Sequence, residues 1–165
     1  MAQQSVREVF VFVSDLPDLA ALLAAVPVGG EIVILDSTRD GVLDLAAALS
    51  GMSGIDGLHV FSHGSVGSLK LGSVWLNSLD IASYLEEMTA IATAISANGD
   101  ILLYGCDVAN GSLGRAFIEL ISLATGADVV GSTDQTGFAA YSGNWLLEQS
   151  TGTIDATSIS ASTYL

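Results

Sequence analysis

One histidine and the single cysteine of this 165-residue chain each follow directly on an apolar run, His63 after LHVFS and Cys106 after DILLYG. A thiol beside an imidazole can pass its proton to the ring, and the thiolate left behind is the form that attacks a carbonyl carbon. If the two runs are neighbouring strands, both side chains project into one crevice, because adjacent strands lie only about 4.8 Å apart. Gly64 follows the histidine and permits a tight turn, so that its N–H and the N–H of Cys106 are expected to converge on one developing oxyanion. The remaining polar residues at strand ends are Asp15, Asp36 and Asp134.

Other chemistries find no matching pattern. His59 precedes His63 by four residues on one strand face, which separates their Cα atoms by about 13 Å at ~3.3 Å per residue and prevents them from sharing a metal. With one cysteine there is no zinc-type spacing either, and His59 is read as a structural histidine hydrogen-bonded within or at the edge of a sheet. The glycines of residues 64–73 (GSVGSLKLGS) lack the lysine that would hold nucleotide phosphates, and no GxGxxG follows the first strand. Asp80, Glu86 and Glu87 are read as a solvated helix face, and Trp75 and Trp145 as sheet packing. No metal and no cofactor are therefore expected.

The composition narrows the partners. Eighteen acidic residues against four basic ones give a net charge of −14, and Arg7, Arg39, Lys70 and Arg115 lie far apart in sequence. Contact with nucleic acid or an anionic membrane surface, which needs clustered cations, is excluded on that basis. Half of the residues are hydrophobic and the mean hydropathy is +0.59. Yet no apolar run approaches the ~18 to 20 residues of a spanning helix, so membrane insertion is not expected. The first residues, MAQQSVREVF, do not have the basic, apolar and small-residue pattern of a signal peptide. Scarce lysine with abundant Gly, Ala, Ser, Thr and Asp suggests a bacterial secreted or cell-surface protein exported by a signal-independent route, with the cytoplasm as the alternative. The oligomeric state is left open.

The elements that must position the histidine and cysteine follow from periodicity. Residues 7–14, 31–36, 58–62, 100–104 and 127–131 read as buried strands, and 141–148 as a sixth. Helical spacing runs from Asp15 to Val26, from Asp40 to Leu49, from residue 78 to about 97 as the longest helix, and from 111 to Gly126. Residues 68–75 suit a small hairpin. Strands alternating with helices give an α/β fold, a three-layer αβα sandwich with a mainly parallel central sheet in a flavodoxin-like strand order. One domain spans residues 1–149. Residues 150–165, half of them Ser or Thr, are expected to form a linker or a peripheral strand.

Two resemblances rest on these segments. FVFVSDLPD, VILDSTRDGV, HVFSHGS, GDILLYGCDV and TGADVVGSTDQTG, in that order from about Val9 to Glu148, resemble a bacterial domain of unknown function found near the start of very large adhesin-like proteins. The paired "apolar strand, Ser-His63-Gly64" and "apolar strand, Gly105-Cys106" resemble the caspase-like superfamily of cysteine peptidases, caspases, gingipains and legumains among them. That resemblance implies His63 as general acid/base, Cys106 as nucleophile, and Gly64 with Cys106 as oxyanion donors. It also implies a substrate pocket fed by the loop after the first strand, near Asp15, with a preference for a basic side chain and with Asp36 or Asp134 as alternatives. Gly105 departs from the Ala that many relatives carry before the cysteine, and the chain is shorter than a typical active member. The expected activity is a cysteine hydrolase acting on a peptide or protein substrate, its own parent chain included. The alternative is a non-catalytic adhesion or assembly module that keeps the fold.

Overall fold

β1 (Glu8–Val13) has the sequence EVFVFV, and every residue after Glu8 is buried, as a strand covered on both faces requires. The computed structural model describes residues 6–137 and 144–159. β1 pairs in parallel with β2 (Glu31–Leu35) on one side and with β3 (Ile55–Phe61) on the other. β7 (Ile95–Tyr104) lies in parallel beside β3, β8 (Asp128–Gly131) in parallel beside β7, and β9 (Gln149–Ser150) antiparallel at the far edge. The parallel strands thus follow the 2-1-3-4-5 order of a doubly wound sheet, as the sequence predicts. A separate antiparallel meander of β4 (His63–Ser65), β5 (Ser68–Leu71) and β6 (Val74–Asn77) grows out of the end of β3.

Strand alternation divides the core in two. Val9, Val11, Leu58, Val60, Ile101 and Leu103 face a layer formed by α2 (Gly41–Leu49), α3 (Leu85–Ala94) and α4 (Gly111–Thr125). Phe10, Phe12, Phe61, Leu102 and Tyr104 face the opposite way, beneath the six-residue α1 (Leu19–Ala24) and side chains of the C-terminal segment such as Trp145, Ile154 and Ile159. Asp40 caps α2 by accepting from the Val42 and Leu43 amides, and Gly126 ends α4 in the left-handed conformation at φ 73° that a glycine adopts without penalty. Among the described residues no helix is long and apolar enough to cross a membrane.

Several local expectations are corrected. α1 begins at Leu19 rather than Asp15, because the residue before Pro17 is kept out of the helical region and Asp18 sits at φ 56°. β2 is an edge strand, with Ile32 and Ile34 about half exposed, instead of one buried on both faces. The helix read as the longest is a 3₁₀ turn at Ile81–Tyr84 followed by α3, which stops at Ala94 where Ile95 turns extended. α4, with 15 residues, is longer. Residues 144–148 form only an isolated bridge from Asn144 to Thr136, the pairing strand being β9, and residues 141–143 lie outside the described residues. Residues 151–159 run back across the sheet, and the buried Asp100 carboxylate accepts from the Asp155 and Ala156 amides at 2.7 and 2.9 Å.

Candidate active site

β3 and β7 are hydrogen-bonded neighbours in which Phe61 stands opposite Tyr104. His63 and Cys106 each follow by two residues, so they leave the sheet at the same height, and the two-residue period of the strands carries both toward the α1 side. What brings the two loops together is the absence of a side chain between them. A Cβ on Gly64 would lie 2.6 Å from the Cys106 oxygen and 2.7 Å from its nitrogen. The backbones of the His63-Gly64 and Gly105-Cys106 turns are therefore in van der Waals contact.

Local pairing orients the histidine. In the β4–β5 hairpin His63 lies opposite Lys70, which sets the two side chains on one face. Both reach Asp15, at the turn after β1: His63 Nε2 is 3.4 Å from Oδ1, and Lys70 Nζ is 3.9 Å from Oδ2. Ser65 and Ser68 flank the two-residue turn, and Gly64 stands opposite Leu69.

The cysteine is held from the other side. The Thr136 amide donates to Cys106 Sγ at 3.4 Å, and the thiol lies 3.7 Å from the Thr136 carbonyl oxygen, to which it donates. The loop after β8 that carries Thr136 is tied to the cysteine loop by Asp107 N to Asp134 O at 2.8 Å and Ala109 N to Ser132 O at 2.9 Å. Asp107 adopts φ 57°, a left-handed turn placed directly after the thiol, which leaves Cys106 partly accessible. The imidazole and the thiol make no hydrogen bond to each other.

His63, Gly64 and Cys106 line one cavity of about 500 Å³. Its remaining wall is mostly apolar: Leu16, Pro17 and Leu22 from the α1 side, Phe61 and Tyr104 from the sheet, and Trp145. Thr136 and Asp18 are among the polar lining residues, and the Thr136 hydroxyl is buried without a partner among the described residues. None of the three carboxylates expected in the substrate pocket belongs to this wall. Asp15 is taken up by His63 and Lys70. Asp36 folds onto its own turn, accepting from the Thr38 amide and hydroxyl, which hold it below its ordinary carboxylate value. Asp134 accepts from Ser132 Oγ and Asn144 Nδ2. The correction has a physical cause: a strand end limits where a residue sits, whereas its partners are set by neighbouring turns.

Behind the cavity His59 is fully buried, stacked on Phe10 with centroids 4.3 Å apart. Its Nε2 faces Glu8 Oε1 at 3.1 Å and its Nδ1 faces Tyr104 Oη at 3.0 Å, while Tyr104 Oη also accepts from the Ile159 amide. A neutral ring satisfies all of these contacts, with Nε2–H donating to Glu8 and Nδ1 accepting from the phenol. Burial lowers the His59 pKa against the pull of Glu8, and burial raises that of Tyr104.

The sequence reading did not identify Lys70, Thr136 or the aromatic wall. The only signal for the wall was that Phe61 and Tyr104 each precede a candidate residue by two positions.

A protein-family model described as "Domain of unknown function (DUF4347)" matches residues 9–165. No curated protein matches the chain. Among solved structures, a small-chain dehydrogenase is similar at 11% identity and a TM-score of 0.31, over 72% of this chain and 73% of its own. A short chain dehydrogenase family protein from Francisella tularensis subsp. tularensis SCHU S4 is similar at 9% identity and a TM-score of 0.34, over 74% of this chain and 59% of its own.

Proposed function

Taking the chain as what it is, a member of the DUF4347 family, we propose that it is a cysteine hydrolase of the caspase-like kind that cleaves peptide bonds. The observation that carries this reading is a histidine and the only cysteine on abutting backbone turns, lining one cavity and left partly accessible. With Nε2 turned toward Asp15, Nδ1 is the ring nitrogen left to receive the thiol proton. Asp15 is then a positioning residue that holds the ring, in place of a contact for a basic substrate side chain.

In this mechanism the Cys106 proton passes to His63 and the sulfur attacks the scissile carbonyl carbon. The Gly64 and Cys106 N–H groups stabilise the oxyanion. As the tetrahedral species collapses, the C–N bond breaks, His63 protonates the departing amine, and an acyl-thioester remains. Water then attacks the thioester, giving up a proton to His63, and the carboxylic acid is released as the thiol re-forms. The parent chain is the first substrate to consider.

Iodoacetamide labelling tests the chemistry, and the single cysteine makes the readout unambiguous. Alkylation at pH 7 is expected to be at least about tenfold faster than for a model thiol with the ordinary pKa of about 8.5. It should fall in His63→Ala and, to a smaller extent, in Asp15→Asn. A rate equal to the model thiol and unchanged by His63→Ala overturns the proposal. The rival reading, a non-catalytic adhesion or assembly module, draws on the sulfur being bonded to Thr136 and not to His63. The same experiment decides between them, since apo hydrogen bonds at catalytic sites are often long.

A further inference from the structure

We infer that the substrate residue on the acyl side of the cleaved bond carries a large apolar side chain, aromatic or branched aliphatic, seated in the cavity beside Cys106. This rests on the cysteine hydrolase reading and adds a substrate class to it.

The first argument is continuity. The strands that deliver the histidine and cysteine also supply the cavity wall, because Phe61 lies two residues before His63 and Tyr104 two before Cys106. Their rings stack at 4.1 Å and 6° into a flat shelf, and Trp145 meets the shelf at 54–55° with centroids 6.3 and 6.4 Å away. Leu16 and Leu22 complete the wall from the α1 side. A residue whose carbonyl carbon is within reach of Sγ lies beside this recess, since Cys106 is one of its lining residues. The volume of about 500 Å³ exceeds what one side chain needs and falls within the ~300 to 1,000 Å³ of typical ligand sites.

The second argument is charge. Among the described residues an acidic side chain would find no free cation in the wall, since His63 and Lys70 both face Asp15. A basic one would have to leave water against leucine and aromatic rings, and the one carboxylate of the wall among the described residues, Asp18, is solvent-exposed at the start of α1. Stripping water from an unpaired charge costs far more than stripping it from an apolar group. Discrimination therefore favours phenylalanine, tyrosine or leucine over arginine or aspartate.

The test uses N-acetyl amino-acid chloromethyl ketones bearing Phe, Leu, Arg or Asp side chains, with alkylation of Cys106 followed by intact mass and each rate divided by that of the same reagent with a model thiol. The Phe and Leu reagents are expected to react at least about tenfold faster than the Arg and Asp reagents, the scale that apolar pocket contacts supply. Leu16→Asp should narrow the Phe-to-Arg ratio. An Arg or Asp reagent that matches or exceeds Phe overturns the apolar pocket while leaving the hydrolase proposal in place. If no reagent outpaces the model thiol, the hydrolase proposal falls. The pocket is then judged by calorimetry of Cys106→Ala with N-acetyl-phenylalaninamide against N-acetyl-argininamide. Tighter binding of the phenylalanine amide upholds the apolar preference, and equal or weaker binding overturns it.

Discussion

Gly64 sets how closely the two chemistry-bearing turns approach, and its neighbour across the gap, Gly105, faces a milder constraint. A Cβ at Gly64 would press on backbone atoms of Cys106 at 2.6 and 2.7 Å, which cannot rotate away. At Gly105 it would meet Leu69 Cδ1 at 3.0 Å and Gly64 Cα at 3.2 Å, and the leucine tip can yield by a few tenths of an ångström. Gly64→Ala is therefore expected to separate the turns and lower the iodoacetamide rate at Cys106 at least about tenfold, the scale of losing one positioned catalytic contact. Gly105→Ala, whose Cβ would meet the Gly64 backbone at 3.2 Å as well as the yielding leucine tip, should lower the rate less than Gly64→Ala does. A second residue-scale consequence concerns His59. Burial holds its folded pKa below the ordinary value of 6.5, so the unfolded chain binds more protons as the pH falls below that value. The stability present above about pH 6.5 is lost progressively as the pH drops toward the folded pKa. Melting temperature measured from pH 7.5 down to 5 should decline more steeply in the wild type than in His59→Gln, which offers a donor and an acceptor but no titration.

At the scale of elements, the sheet face opposite the three-helix layer has, among the described residues, only a six-residue helix of its own. Among the described residues further cover comes from 144–159, and Asp100 at the start of the parallel run of β7 ties Asp155 and Ala156 of this segment. Removing that carboxylate in Asp100→Ala orphans two backbone donors. The expected cost is about 2–4 kcal/mol, two orphaned donors at about 1–3 kcal/mol each, offset in part because the buried Asp100 Oδ1, which has no partner among the described residues, is removed with them; it is read as a lower urea midpoint with an unchanged slope. Tyr104→Phe should cost less, about 1–2 kcal/mol, because it removes one phenol from the His59 and Ile159 contacts. These ties were not legible in the sequence, where Ser and Thr abundance in residues 150–165 pointed to a linker or peripheral strand. Hydroxyl-rich segments bury little, but their amides can still be recruited by a carboxylate distant in sequence. The legible elements were those with a strong local period, such as β1, β3 and α4. The start of α1 was missed because Pro17 overrode an otherwise helical spacing, and β2 was misjudged because an edge strand can carry the same valines and isoleucines as a central one.

For the whole molecule, the residues of the site were legible to the extent that topology alone placed them. Parallel strands all end on one side, so His63 and Cys106, each closing an apolar run, had to meet if β3 and β7 were adjacent. Partners decided by a three-residue strand, as Lys70 and Asp15 are by β4, have no periodicity to announce them. Charge is the other global property. Three of the four cations face carboxylates, Arg7 with Glu31, Arg39 with Asp44 and Lys70 with Asp15, and Arg115 lies beside the neutral Gln149. Ion pairing does not alter the net charge of −14, and the folded chain concentrates that charge in a smaller volume than the unfolded chain does. Added salt weakens both the few surface pairs and the general repulsion. The pairs are worth only about 0–1 kcal/mol each, so repulsion should dominate the response. Raising salt from about 0.01 M to about 1 M shortens the Debye length from about 30 Å to about 3 Å, and should raise the melting temperature monotonically. NaCl and KCl should give the same curve if screening is the cause. A melting temperature that falls with salt would mean that the Arg7 and Arg39 pairs outweigh the repulsion, and charge reversal at Glu31 would then destabilise the chain more than any acidic residue replaced on an exposed helix face such as Glu86.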